Sequence, residues 1–425
     1  MRGRIAAPVT RHEKIQPGKA TLHRMPDTMP ALAVSAHTAT SALGRGLDAH
    51  EDALRRMRGG LAHNNFSSAP LDCWIGRVAG LEAATLPATL NEWECRNNRL
   101  AWMGLQQDRF MDAVHRAASR YGSDRIAVLL GTSTGSIAST EQGYRHLDVD
   151  GRLPAEVRRP IIHCLHSLSA FARTALELSG PCLTVSTACS SSAKVYAMAT
   201  RMMQADLIDA AVVGGTDTLC DSVLFGFNSL GLVSQQACRP FDIERDGISI
   251  GEAAGFALLE RAERAPDATR LAGYGESSDA HHMSTPHPEG LGAERAMRDA
   301  LARAGLRPEQ VDYINLHGTS TRKNDEVEAA LIARLFPDTT RSSSTKGYTG
   351  HTLGAAGALE ASIALLALER SLLPGNLGCD TPDPLCEGRL QQETRARNVR
   401  VALSNSFGFG GNNACLAFVR AEEAA

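Results

Sequence analysis

The amino-acid sequence predicts an α/β architecture with buried sheets. Three observations carry this. Apolar strand-like runs that end in glycine alternate with runs of helical period. A weak internal repeat pairs landmarks of the first half with landmarks of the second, in the same order. The chain has 425 residues, 43% of them hydrophobic, which is enough to bury a sizeable core in one large or two fused domains.

The elements follow in order. Residues 1–30 are mildly basic and lack an apolar h-region, so they read as no secretory signal but as a disordered extension or an early start. The fold is expected to begin near Ala31. RIAVLLG (125–131) is a strand run closed by the glycine of GTST. PCLTVST (181–187) is a second strand run, and SAKVYAMATRMMQAD (192–206) has helical period. DAAVVGG (209–215) and GISIGEAAGFALLER (247–261) are further strand runs. The polar stretch 262–273 divides a first half, 31–265, from a second, 266–425. VDYINLHG (311–318) again runs into GTST, EASIALLALERSL (360–372) is the second helical run, and SFGFGGNNACLAFVR (406–420) echoes the glycine turn and strand of 247–261. Two fused copies of one αβ unit explain this order.

Composition excludes several classes. The net charge of −3 gives no overall nucleic-acid-binding surface. No apolar run reaches the roughly 18–20 residues of a membrane helix. The ten cysteines form no CxxC pair and have mostly apolar neighbours, as expected for free thiols in a reducing, cytoplasmic setting.

Cys189 is the exception to inspect. It stands between a strand run and a helical run, in VSTACSSSAKV, where free backbone N–H groups and the helix dipole favour a thiolate and could hold an oxyanion. A cysteine filling a small buried hole is the competing reading. His317 ends the strand run YINLHGTST. His351 lies at the mouth of a helix in STKGYTGHTLGAAGALEA, with Lys346 in the same loop. One histidine at a strand end is commonly structural. Two at strand–helix junctions, with a cysteine placed alike, are hard to explain as packing.

TACSSSAKV, RPFDIERDGISIGEAAGFALLE, NLHGTSTRKND, STKGYTGHTLGAAGALE and NSFGFGGNNACLAF together resemble the β-ketoacyl-acyl-carrier-protein synthases, the elongating condensing enzymes of type II fatty-acid and polyketide systems. The resemblance runs from about residue 31 to 421 and implies the thiolase fold, five layers αβαβα built from two similar halves. It implies a decarboxylative condensation that lengthens an acyl chain by two carbons. By resemblance Cys189 is the nucleophile, His317 and His351 hold the malonyl thioester carbonyl, Lys346 supports their charge arrangement and Glu328 orders the network. Thr319 and Thr321 match the pair that binds the phosphopantetheine arm, and Phe409 matches a gate whose backbone N–H joins that of Cys189 as the oxyanion hole. Thr134 and Phe227 would border the acyl pocket, and Ser284 and His282 would line the channel. The Cys–His–His set differs from thiolases, which use a second cysteine, and from initiating synthases, which pair His with Asn.

The same resemblance implies an acyl carrier protein as partner, bringing the phosphopantetheine arm, with no cofactor of the enzyme's own. It implies a homodimer, the alternatives being the active subunit of a heterodimer with a chain-length factor, or a non-catalytic docking scaffold. The three histidines of HHMSTPHPEG (281–290) sit in a proline-bearing loop without a standard ligand spacing, and no metal is expected there. Three features depart from the commoner pattern: Arg322–Lys323 after HGTST, GGTDTLC (214–220) in place of a GGAE-like run, and a glycine-poorer GISIGEAAGF. The basic pair reads either as a rim for an acidic carrier or as solvated surface. The departures point to a specialised branch, similar to synthases of aryl-polyene or pigment pathways.

Overall fold

The computed structural model describes residues 28–155, 157–386 and 388–421. Most of the expected extension, residues 1–27, lies outside the described residues. Ten strands form the continuous path of the large sheet: β1 Leu32–Ser41, β2 Ile126–Gly131, β3 Cys182–Val185, β4 Ala210–Asp217, β5 Ala253–Arg261, β6 Arg270–Ser278, β7 Tyr313–Asn315, β8 Arg341–Ser343, β9 Val401–Gly408 and β10 Asn412–Val419. The first five run in the spatial order β3-β2-β4-β5-β1, and the second five in the order β8-β7-β9-β10-β6. β2 pairs in parallel with β3 and β4, as β7 does with β8 and β9. The remaining pairs, toward the middle of the path, are antiparallel in both sets. The two sets therefore share one topology, and they meet where β1 pairs with β6 at Leu32 and Leu271.

Seven helices cover these strands: α1 Arg96–Leu105, α2 Phe110–Tyr121, α3 Ser167–Ala175, α4 Ser191–Gln204, α5 Leu291–Ala304, α6 Arg322–Leu335 and α7 Ala356–Glu369. Strand side chains alternate between faces, so each strand feeds two cores. Ala127 and Leu129 of β2 point to a central core shared with α4, α7 and both sheets. Ile126, Val128 and Leu130 point to an outer core under α1, α2 and α3. In the second half, Tyr313 faces the centre and Ile314 faces α5 and α6. This explains why β2 reads as an unbroken apolar run: neither face meets water. The layers are thus helix, sheet, helix pair, sheet, helix, which is the thiolase arrangement.

The central pair sets the tightest packing. α7 is buried on every side from Ala356 to Leu368, as a helix between two sheets must be. A Cβ at Gly357 would stand 2.6 Å from the backbone nitrogen of Ala193, so only glycine lets α7 approach α4 this closely. No helix among the described residues is long and apolar enough to cross a membrane. Strands β2, β3, β4, β7 and β8 all deliver their carboxyl ends to one side, next to the mouths of α4 and α7, and the loops gathered there carry the polar residues described next.

Candidate active site

Cys189 stands in the turn from β3 to α4. Ala188 before it has φ +52°, a left-handed conformation that is costly for alanine and that folds the chain back sharply. The neighbouring hydroxyls satisfy this turn: Thr187 N–H donates to Ser191 Oγ at 2.9 Å, and Ser191 Oγ donates to Ala188 O at 2.5 Å. The thiol is buried, with Sγ 2.9 Å from His351 Nε2. Burial pushes the thiol up to about 11, against the pull of the Lys346 charge and the Phe409 N–H, while Glu360 and Asp217 push it further up. Desolvation therefore opposes the thiolate that the helix N-terminus favours, and the sulfur sits beside an imidazole.

His317 lies just past β7. Glu328 of α6 accepts from the N–H of His317 at 2.9 Å and of Gly318 at 2.8 Å, and from Asn405 Nδ2 at 3.1 Å. It thus holds the histidine's backbone. Burial raises its carboxyl to about 7 in spite of these donors. Lys346 donates from Nζ to His317 O at 2.5 Å and stands 3.4 Å from His317 Nδ1. An ammonium only donates, so this contact leaves the ring proton on Nε2. Lys346 is itself paired with Glu360 of α7, and both are buried. Burial, and then the Lys346 charge, hold both histidines well below their ordinary 6.5, so both rings are neutral at pH 7. Their centroids are 5.4 Å apart and nearly perpendicular.

Glu360 was not among the expected site residues. Its signal was present: one carboxylate in the otherwise apolar GALEASIALLAL. Nothing in the local pattern says that a lysine fourteen residues earlier pairs with it.

Cys189, His317 and His351 bring one ligand-type atom each to within 4.8 Å of one another. They form part of the wall of a cavity of about 400 Å³. Thr319 and Thr321 line it, their hydroxyls 2.9 Å apart. Phe227 and Phe409 face each other at 5.4 Å between centroids, and the Phe409 backbone N–H points at the Cys189 sulfur. His282 and Ser284 line the wall from the loop 281–290, where His282 Nδ1 accepts from Thr285 Oγ1 at 2.7 Å. Arg322 and Lys323 line it too, and neither is in an ion pair among the described residues. Thr134 does not border this cavity. It is buried, with its hydroxyl donated to Asp217 at 2.6 Å.

The arrangement can do definite chemistry. A thiol beside a neutral imidazole can be deprotonated as it attacks, the Phe409 N–H can meet a developing oxyanion, and two imidazole N–H groups can meet a second one.

Comparison with known proteins bears on the same residues. Residues 91–265 match the family described as "Beta-ketoacyl synthase, N-terminal domain", and 268–380 match "Beta-ketoacyl synthase, C-terminal domain". Nodulation protein E of Rhizobium meliloti is 38% identical over 304 residues, covering 69% of this chain and 75% of that protein. 3-Oxoacyl-[acyl-carrier-protein] synthase 2 of Coxiella burnetii is 35% identical over 70% of this chain and 75% of its own. The mitochondrial 3-oxoacyl-[acyl-carrier-protein] synthase of Arabidopsis thaliana is 43% identical, over 56% of each chain. Among solved structures, a ketosynthase in complex with its chain length factor from Xenorhabdus doucetiae superposes with TM-score 0.82 at 38% identity, covering 92% of this chain and 98% of that one. Sequence matches across both halves, the shared fold and the converging thiol and imidazoles agree: the chain belongs to the beta-ketoacyl synthase family.

Proposed function

We propose that this chain condenses an acyl group held on Cys189 with a malonyl group delivered on an acyl carrier protein. The single observation that carries this is the meeting of Cys189, His317 and His351 on one cavity. In the first step the Cys189 sulfur attacks an acyl thioester, its proton passes by way of His351 Nε2 to the departing pantetheine thiol, and the Phe409 and Cys189 N–H groups meet the oxyanion. In the second, malonyl thioester loses carbon dioxide, and its carbonyl oxygen becomes an enolate oxygen. Two neutral imidazoles donating from Nε2, His351 having exchanged to its Nε2–H tautomer once the sulfur is acylated, stabilise that oxygen only as its charge develops, which is differential binding of the transition state. The enolate carbon then attacks the acyl-cysteine, giving a β-ketoacyl thioester longer by two carbons and expelling the Cys189 thiolate, which takes up one proton from solvent to restore the thiol. No metal and no cofactor are invoked.

On this reading Thr319 and Thr321, which line the cavity, bind the amide groups of a phosphopantetheine arm, and Arg322 and Lys323 of the same wall meet its phosphate. The test is direct. Incubation with an acyl carrier substrate should add one acyl mass to the peptide containing Cys189, and malonyl carrier should then release a β-ketoacyl product. Free acid in place of that product would mean a hydrolase, and no acyl-enzyme at all would mean a docking scaffold. A panel of saturated and polyunsaturated carriers decides the pathway, the aryl-polyene reading among them.

We further infer a two-chain assembly, as a homodimer or with a chain-length factor. Its support is the free edge of β3 and the exposed apolar residues Tyr144, Leu147, Val149, Leu165 and Leu183.

A further inference from the structure

The GGTDTLC run departs from the commoner GGAE-like pattern at Asp217, and the reaction above gives this residue no role. Asp217 ends β4 and has no exposed surface. Among the described residues it has no cationic partner. Instead it is saturated with donors. Its Oδ1 accepts from Thr132 Oγ1 at 2.6 Å, Thr134 Oγ1 at 2.6 Å, Thr134 N at 2.8 Å and Ser133 N at 2.9 Å. Its Oδ2 accepts from Ser133 Oγ and from Gly354 N, both at 2.6 Å.

These donors come from two loops. Thr132, Ser133 and Thr134 follow β2, whereas Gly354 lies three residues after His351. The segment between is under strain, since Leu353 has φ +56°. Upstream, His351 is fixed by its N–H on Ser249 O at 2.7 Å and its carbonyl on Gly251 N at 3.0 Å. Downstream, Asp217 is the anchor. A Cβ at Gly354 would stand 2.7 Å from Asp217 Oδ2, so the contact is close enough to need glycine.

We propose that Asp217 is a positioning residue for the Cys189–His351 pair, a buried carboxylate that clamps the His351 loop to the loop after β2. It touches neither substrate nor the reacting atoms. The charge has a definite sign at Cys189: Lys346 draws the thiol toward ionisation, and Glu360 and Asp217 oppose it, with His351 in contact. On the far side of Asp217, Cys220 sits among Glu141, Asp217 and Asp221, and Glu252 is engaged by Arg96. Burial is the main cause that keeps the sulfur protonated until an acyl thioester arrives, and the Asp217 charge adds to it. This role rests on the condensing activity proposed above, but its first readout needs no substrate.

The experiment compares Asp217→Asn, Asp217→Glu and Gly354→Ala with the parent chain. The pH dependence of iodoacetamide alkylation at the Cys189 peptide is followed by peptide mass, and acylation is followed as kcat and KM. An amide carries one acceptor oxygen, so Asp217→Asn loses both the charge and one of the two loops. Its alkylation midpoint should move to lower pH, and its kcat for acylation should fall about 10²-fold with KM little changed. Asp217→Glu keeps the charge and should keep the midpoint, whatever happens to kcat. Gly354→Ala pushes the loop off the carboxylate but leaves the charge, so kcat should fall while the midpoint holds. An unshifted midpoint in Asp217→Asn, with its kcat falling only in step with the folded fraction seen by circular dichroism, would overturn the proposal. If Asp217→Asn does not fold, wild-type acylation by Gly354→Ala overturns the clamp, and a midpoint displaced in Asp217→Glu overturns the charge effect. Normal alkylation shifts without any acyl-enzyme would leave Asp217 in place and reject the condensing activity.

Discussion

At the scale of single residues, the site depends on three groups whose ordinary properties are altered by burial. Cys189 is a thiol held near an imidazole, and the two histidines are neutral because burial and Lys346 both disfavour a second positive charge. These separate into two jobs. Cys189→Ala should abolish condensation and leave malonyl decarboxylation measurable, because the enolate oxygen is met by the histidines; loss of decarboxylation in a variant folded by circular dichroism would refute that division. His317→Ala should lose about 10²–10³ in decarboxylation rate while still becoming acylated. His351→Ala should also acylate more slowly, since its Nε2 is the base 2.9 Å from the sulfur. The pH dependence has a fixed sign. Imidazoles held well below 6.5 stay neutral on acidification through that value. Decarboxylation by Cys189→Ala should therefore stay level from pH 8 past 6.5 and fall only well below it. A midpoint at 6.5 would mean that the rings are not desolvated in the working enzyme.

At the scale of elements, α7 carries the clearest consequence. It is apolar throughout its buried length apart from Ser362 and Glu360, which lies between two sheets and pairs with Lys346. Removing one member of such a pair leaves an uncompensated charge in a desolvated place. Glu360→Gln should cost about 3–5 kcal/mol in denaturant unfolding. It should also disturb His317, whose carbonyl shares the same ammonium. A loss below about 1 kcal/mol would show that water reaches Lys346. The elements also show what could be read from the chain beforehand. Cys189, His317 and His351 stand at strand–helix junctions bounded by small residues, a local pattern that needs no knowledge of distant contacts. Glycine-closed strands announced the repeat in the same way. Glu360, Asp217 and the Thr134–Asp217 contact could not be read so, because each depends on a partner 14, 137 or 83 residues away across a packed interface. The burial that opposes ionisation of the thiol is illegible for the same reason: helix position is local, whereas desolvation is a property of everything packed around the sulfur.

At the scale of the whole molecule, the duplicated topology leaves one unequal feature. The path of strands begins at β8 and ends at β3, so each half has an edge. β3 exposes Leu183 at 44%, and elsewhere in the first half Tyr144 is exposed at 65% and Val149 fully. An edge strand flanked by apolar side chains is a template for pairing with another chain unless something covers or charges it. β3 is also the strand that runs into Cys189, so a partner seated there would brace the turn that presents the nucleophile. Leu183→Lys, combined with Leu165→Lys, should therefore convert a two-chain species in size-exclusion light scattering to a single chain. It should lower the rate of Cys189 acylation at the same time, because the turn at Ala188 loses its support. The parent chain expressed alone distinguishes the two assemblies: a two-chain mass means a homodimer, and a single-chain mass that doubles only with a co-expressed factor means a heterodimer. A single-chain mass under both conditions, with full acylation activity, would show that the β3 edge is simply a solvated margin and that the site is complete within one chain.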